Sequence, residues 1–430
     1  MENGVVLSSL LTTSKRLKME KTAGVSEIRN AFPALRRQVG EYDAAYFDGP
    51  GGTQIPGAVS DAMVDYLHNH NANTHWEYLS SRETDQIISE SRMKVATFLN
   101  ADPSGIVFGA NMTTLTFHLA RALVKRFEEG SWIVVTDLDH QANVAPWVQS
   151  ARERGVRVAR VRMTPDGQLN QDDLSDFVKP GASLLAVGAA SNALGTMNDL
   201  PRLVAMAAKA GSLTFIDAVH SAPHALTDFE GVGCDFLACS PYKIYGPHAG
   251  VLAARPELIN ELDVARLDPA PNEAPERLET GTLSHEAIAG TAAAIDFLAG
   301  CSKGETLRDR LATTFDSLHS RGQNLLEEMW MGLESIPGVT LFGPPPDRPR
   351  TPTLGFTLDG VPSSVVASTL SALYGVFVSH GDFYASPVTE TLGLGDEGLV
   401  RAGCACYTTR EEVERLVSGV SEIAAGERSP

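Results

Sequence analysis

Short apolar runs alternate with stretches of helical periodicity along most of this chain. IVFG, SWIVVT, VRVARVRM, LLAVG and LTFID are brief, rich in β-branched or aromatic residues, and bounded by polar or glycine-bearing turns, the signature of strands buried on both faces. Between them lie helical patterns: one with Thr113 and Thr114 in its first turn, one near Gln171 to Phe177, and one from Pro201 to Ala210. Strand and helix in alternation predict an α/β fold with a mostly parallel sheet covered by helices. Sites in such sheets lie at the carboxyl ends of the strands, where this pattern puts His140, Asn192 and Asp217.

The flanking segments read differently. Residues 1 to about 25 read as a polar arm, and Val25 to Tyr42 reads as a short helix leading into an extended segment, Ala44 to Phe47. Two helical patterns between Ile55 and Ala101 are separated by HNHNANTHWEYLSSRET, a polar and aromatic loop expected near the site entrance. After Gly250 come a helix near Pro256 to Asp263, a proline-rich loop, and an alanine-rich helix that closes the large domain near residue 300. A long amphipathic helix from Thr306 to Gly332 then opens a second unit with two or three strands and helices on one side, an α+β domain. Its final helix, Thr409 to Ala425, begins with a threonine cap and acidic residues. The division expected is an arm and part of the small domain over 1–40, a large domain over 41–298 and a small domain over 299–430.

Length and charge narrow the function. A chain of 430 residues accommodates two unequal domains. With 35 basic against 53 acidic residues, the net charge of −18 disfavours nucleic acid or an anionic membrane as partner. No apolar run approaches the ~20 residues of a membrane span, and the N-terminal stretch lacks the pattern of a signal peptide. Five scattered cysteines without paired spacing fit a reducing cytoplasm and neither a disulfide framework nor a zinc site.

The candidate chemistry centres on FIDAVHSAPHALTDFEGVGCDFLACSPYKIYGPHAGVL. Asp217 ends an apolar strand, and Lys243 follows 26 positions later in a loop that carries Ser240. Pyridoxal phosphate needs an amine to bond its aldehyde and a carboxylate to keep its ring nitrogen protonated; a surface lysine and a helix-capping aspartate are the plain alternative. Thr113 and Thr114 sit at a helix N-terminus, suited to a phosphate and equally to capping. His140 is either a structural histidine or a ring that stacks on a flat cofactor. AYFDGPGGTQIP is a turn that brings backbone close to another group or is simply a loop.

DAVHSAPH, DFLACSPYKIYGPHAGVL and the C-terminal RAGCACYTTREEVERLV together resemble the class V aminotransferase group of fold-type I pyridoxal phosphate enzymes. Within it they resemble the Suf-type cysteine desulfurase branch, over residues 40 to 425. The resemblance implies a large domain with a mostly parallel seven-stranded sheet, a small C-terminal α+β domain, and pyridoxal 5'-phosphate as cofactor. It further implies a small amino-acid substrate and a homodimer with shared active sites. Lys243 then carries the cofactor and moves protons at the substrate α carbon, Asp217 pairs with the ring nitrogen, and His140 stacks on the ring. Thr113, Thr114 and Ser240 resemble phosphate ligands, and Thr282 of the ETGT motif resembles the threonine that reaches the phosphate from a partner subunit. Asn192 is placed near the phenolic oxygen or the substrate carboxylate, and Arg401 resembles the arginine that grips that carboxylate.

Three departures from the family bear on the reaction. His220 stands where glutamine is usual beside the phenolic oxygen, Tyr242 stands where histidine commonly precedes the lysine, and SHGDFYASP puts Tyr384 at the position of the nucleophilic cysteine. A phenol at its ordinary pKa near 10 does not carry a persulfide as a thiolate does. Tyr384 is a pocket wall or a proton donor, and Cys404 and Cys406 point together to the site or to the core, the core being the commoner case. The leading expectation is a carbon–sulfur lyase that eliminates at the β carbon without an enzyme persulfide. An epimerase, an aminotransferase or a decarboxylating enzyme is the alternative, and a catalytically silent scaffold the non-enzyme one. His75, with the aromatic residues after it and with Phe383 and Tyr384, suggests a substrate pocket larger or flatter than cysteine needs.

Overall fold

The computed structural model describes residues 22–427; most of the expected N-terminal arm lies outside them. Seven strands form the large sheet: β1 (Ile106–Gly109), β2 (Trp132–Thr136), β3 (Arg157–Val161), β4 (Ala182–Gly188), β5 (Leu213–Asp217), β6 (Phe236–Cys239) and β7 (Gly250–Ala254). Their spatial order is β1-β7-β6-β5-β4-β2-β3. The pairs from β3 through β6 are parallel, and β7 runs antiparallel to both neighbours. Alternation with a period of two explains why the sheet is covered twice. Leu185 and Val187 of β4 join one core cluster, while Leu184 and Ala186 of the same strand join the other. Neither β6 nor β7 was assigned as a strand from the sequence pattern. Their residues are apolar without alternation, and only pairing tells such a run from a loop.

The smaller sheet has four strands, against the two or three expected: β8 (Val339–Phe342), β9 (Thr353–Leu358), β10 (Ser379–Gly381) and β11 (Leu399–Gly403), all antiparallel in the order β8-β9-β11-β10. Helices Leu307–Glu334, Ser363–Tyr374 and Arg410–Ala424 pack on it around a third core cluster that includes Leu326, Phe356 and Leu416. Thr306 and Thr409 close capping boxes with Asp309 and Glu412. Glu412 also pairs with Arg29 at 2.8 Å.

Two helices are shorter than their patterns predict. The first spans Val25–Asn30 and gives way to a turn at Pro33, because proline disfavours helical conformation in the residue before it; the other spans Pro256–Asn260. Ala45–Tyr46 pairs in parallel with Val376–Phe377, and the isolated bridge from Asp48 to Gly403 carries the following FDGPGG turn onto the end of β11. None of the helices among the described residues is long and apolar enough to cross a membrane.

Candidate active site

β2, β4, β5 and β6 end on the same side of the sheet, and their following loops line a cavity open to solvent. Asn111, Thr113, Asp139, His140, Asn192, Asp217, His220, Ser240, Tyr242 and Lys243 all line it. Asp217 is the last residue of β5 and buried; one carboxylate oxygen accepts from Val219 N at 2.9 Å. Lys243 sits in a tight turn after β6, 6% exposed, with its amine in no hydrogen bond or ion pair among the described residues. Burial, then the nearby Arg401 charge, holds the amine below the ordinary lysine value, while burial holds the Asp217 carboxyl above the ordinary aspartate value.

The walls are fixed from outside the cavity. Gly250 begins β7, and a Cβ there would stand 2.3 Å from the Asn111 carbonyl carbon, so glycine permits the strand to lie against the N-terminus of helix Met112–Leu123. Asn111 caps that helix by accepting from Thr114 N at 2.9 Å. Thr113 faces the cavity, whereas the Thr114 hydroxyl donates to the Asn111 carbonyl. The FDGPGG turn closes on the lysine loop: Thr53 donates through N and Oγ1 to the Tyr242 carbonyl at 3.1 and 3.0 Å. The Tyr242 ring stacks on His248 at 5.1 Å.

His140 Nδ1 accepts from Ala142 N at 2.9 Å, and burial with the Lys243 and Arg401 charges pushes its pKa down to about 4, leaving a neutral ring at neutral pH. His220 is buried, its Nε2 3.0 Å from Thr351 Oγ1, and burial keeps it neutral too. Arg401, on β11 and 4% exposed, donates to the Asn192 carbonyl at 2.9 Å and to Ser379 Oγ at 3.1 Å, pairs with Asp48 at 3.2 Å, and lies 4.1 Å from the Phe383 ring centroid. Tyr384 stands at the rim, 72% exposed, its ring 5.4 Å from that of His140.

His75 and Thr282 are not part of this cavity. Both line a separate open cleft, along with the exposed Trp76, Met93 and Leu267. The ETGT loop there is anchored by Glu279, which accepts from Arg92 at 2.8 and 3.1 Å and from Phe108 N at 2.8 Å, all part-buried. Glu279→Ala leaves the Arg92 charge buried without its partner, and urea unfolding is expected to show a loss of about 3–5 kcal/mol; a loss below about 1 kcal/mol would refute this anchoring role.

Sequence reasoning missed Asp48, Asp139, Ser379 and Thr351. Asp139 is buried and lines the cavity, with burial pushing its carboxyl up to about 7; its place beside His140 was the available signal. Asp48 was legible only as part of a turn. Gly51 lets that turn fold back, since a Cβ there would stand 2.6 Å from the Asp48 carboxylate.

The residues present fit pyridoxal phosphate. Asn192 Oδ1 and His220 Nδ1 are buried without a partner, and the site joins an unengaged amine, a buried carboxylate and a helix N-terminus. Orphaned buried polar atoms call for a ligand that satisfies them.

Comparison with known proteins agrees with this geometry. The sequence pattern of the family described as aminotransferase class-V matches residues 45–416. A cysteine desulfurase of Serratia proteamaculans is 29% identical over 415 residues, covering 93% of this chain and 98% of that protein. A probable cysteine desulfurase of Pseudomonas putida is 32% identical over 406 residues, covering 91% and 96%. A solved cysteine desulfurase from Escherichia coli superposes with a TM-score of 0.81 at 26% identity, over 94% of this chain and 99% of that one. One from Thermococcus onnurineus gives 0.82 at 27%, over 92% and 98%.

Proposed function

Because the chain belongs to the aminotransferase class-V family and is a cysteine desulfurase-like enzyme dependent on pyridoxal phosphate, we propose that it is a carbon–sulfur lyase that eliminates at the β carbon and releases the sulfur species directly. The observation that carries this reading is the state of the cysteines. All five are buried, and none lines the cavity. Burial pushes Cys404 up to about 12 and Cys406 higher still, and both line a different, smaller cavity with His224 and His319. A thiol so placed is not a nucleophile near neutral pH. Tyr384, in the loop where Suf-type desulfurases carry their cysteine, offers a phenol instead.

In this reading Lys243 holds the cofactor, Asp217 faces its ring nitrogen, and His140 lies against its ring as a neutral imidazole. Thr113 and Ser240 would hold the phosphate, whereas Thr114, the third ligand the resemblance implies, has both its hydroxyl and its backbone N–H committed to Asn111. Tyr242 walls the lysine side of the site. When bound, pyridoxal phosphate supplies an electron sink for the charge left at the substrate α carbon. Arg401 grips the α-carboxylate in competition with Asp48, while Asn192 and His220 satisfy the polar groups between them. Lys243 would take the α proton and pass a proton to the sulfur as the β substituent leaves. Thr282 and His75 complete the site of a second copy in a homodimer with shared active sites. This fits their separation from the cavity and the exposed apolar residues beside them. The five free cysteines support a cytoplasmic enzyme, and the net charge of −18 disfavours nucleic acid or an anionic membrane as partner. In this proposal the large domain ends near residue 298 and the small domain follows it.

The test is product analysis of the holoenzyme with cysteine-type substrates. Pyruvate, ammonium and a thiol or sulfide in equal amounts are expected. Racemised amino acid or an amino-exchange product alone would sink the lyase reading.

A further inference from the structure

We propose that Phe383 and Tyr384 form the specificity wall of the site, and that the substrate is a cysteine whose sulfur carries a planar, aromatic-sized substituent; this rests on the lyase reading above. Both residues adopt left-handed backbone with φ +57, a conformation costly for a single bulky side chain and rarer for two in succession. Four hydrogen bonds hold it. Asn192 Nδ2 donates to the Phe383 carbonyl at 2.9 Å, and Gln141 N donates to the Tyr384 carbonyl at 2.8 Å. Tyr384 N donates to Asp382 Oδ1 at 3.0 Å, and Ala385 N donates to the Asp382 carbonyl at 2.9 Å. The first two donors come from the loops after β4 and β2, the same loops that carry Asn192 and His140 into the cavity. A turn serving only to connect β10 to the next helix has no need of them.

What this backbone achieves is the placement of two rings. Phe383 covers the guanidinium of Arg401, the group assigned to the substrate carboxylate. Tyr384 is carried to the mouth beside His140 and left 72% exposed, its hydroxyl without a partner among the described residues. Backbone strain that holds a large aromatic surface toward solvent is understandable where a flat ligand group covers that surface. A bare sulfide leaving group makes no use of it. The aryl group of an S-aryl cysteine stacks on it while the carboxylate of the same substrate is held by Arg401, which the neighbouring Phe383 covers.

The step balances without an oxidant. Lys243 takes the α proton, the β carbon–sulfur bond breaks with its electron pair leaving on sulfur, and the thiolate takes up a proton. The three-carbon remainder reacts with water to give pyruvate and ammonium.

The experiment compares kcat/KM of the holoenzyme for S-phenyl-L-cysteine, S-methyl-L-cysteine and L-cysteine, reading thiol and pyruvate, in the wild type, Tyr384→Ala and Tyr384→Phe. S-phenyl-L-cysteine is expected to exceed the other two by at least about tenfold. Tyr384→Ala is expected to cut that preference about tenfold, mainly through KM, and Tyr384→Phe to retain it. Equal or faster elimination from cysteine and S-methyl-L-cysteine overturns the wall while leaving the lyase reading intact, as does an unchanged preference in Tyr384→Ala. Absence of elimination from all three, in an enzyme whose cofactor band shifts on adding them, overturns the lyase reading itself.

Discussion

Lys243→Ala is expected to lower kcat by at least about 10³-fold and to leave the cofactor removable by dialysis after borohydride treatment, which fixes it to the wild-type protein. The reasoning is geometric before it is chemical. This amine is the unengaged cationic group of the cavity, held on a turn whose Ser240 carbonyl accepts from Lys243 N at 3.0 Å and whose Pro241 carbonyl accepts from Ile244 N at 2.7 Å. Burial and Arg401 both disfavour its charged form, so it is neutral over a wider pH range than an exposed lysine. Attack on the cofactor aldehyde requires the neutral amine, so the rate of cofactor capture by the apoprotein rises with pH. Its midpoint is expected below the ordinary value of 10.5. Stopped-flow absorbance measures it. A midpoint at or above 10.5, or a Lys243→Ala enzyme retaining more than about a tenth of wild-type turnover, would remove Lys243 from this role.

Asp217→Asn separates function from folding. The substitution keeps an oxygen to accept from Val219 N but removes the charge opposite the cofactor ring, and kcat is expected to fall roughly 10²- to 10³-fold. The apoprotein should behave in the opposite sense. Burial raises the folded-state pKa of Asp217 above its unfolded value of 3.8, so the folded chain binds this proton more tightly than the unfolded chain does. The ionised carboxylate therefore costs stability at neutral pH, and the cost fades as pH falls toward 3.8. The apo variant is expected to be at least as stable as the wild type at neutral pH, with the difference vanishing in acid. Urea midpoints across pH decide this. A variant that loses stability at neutral pH along with activity would mark Asp217 as a structural residue.

The two parts of the cavity were unequally legible. Asp217, Lys243 and Ser240 lie within one stretch whose local pattern names a strand end and a tight loop, and His140 and Asn192 follow strands that the apolar runs identify. Arg401 was reachable through resemblance, but its partner Asp48 is 353 positions away, and nothing local announces an ion pair across that distance. Likewise Thr351, which holds His220, is 131 positions away. The left-handed backbone at Phe383 and Tyr384 was hidden because neither residue is glycine or asparagine, the usual signs of that conformation.

By itself the sequence determined the alternating architecture, because apolar periodicity and turn residues act over a few positions and are written there. It also carried the resemblance that implies the cofactor, since an acid at a strand end and an amine in a loop are identities and not arrangements. Tertiary structure alone decided that β7 runs antiparallel, that His75 and Thr282 face a different cleft from Lys243, that every cysteine is sealed from the cavity, and that the exposed Tyr384 ring stands beside His140. These depend on which distant segments meet, and pairing between strands and burial of side chains are properties of the packed molecule that no short window of residues encodes.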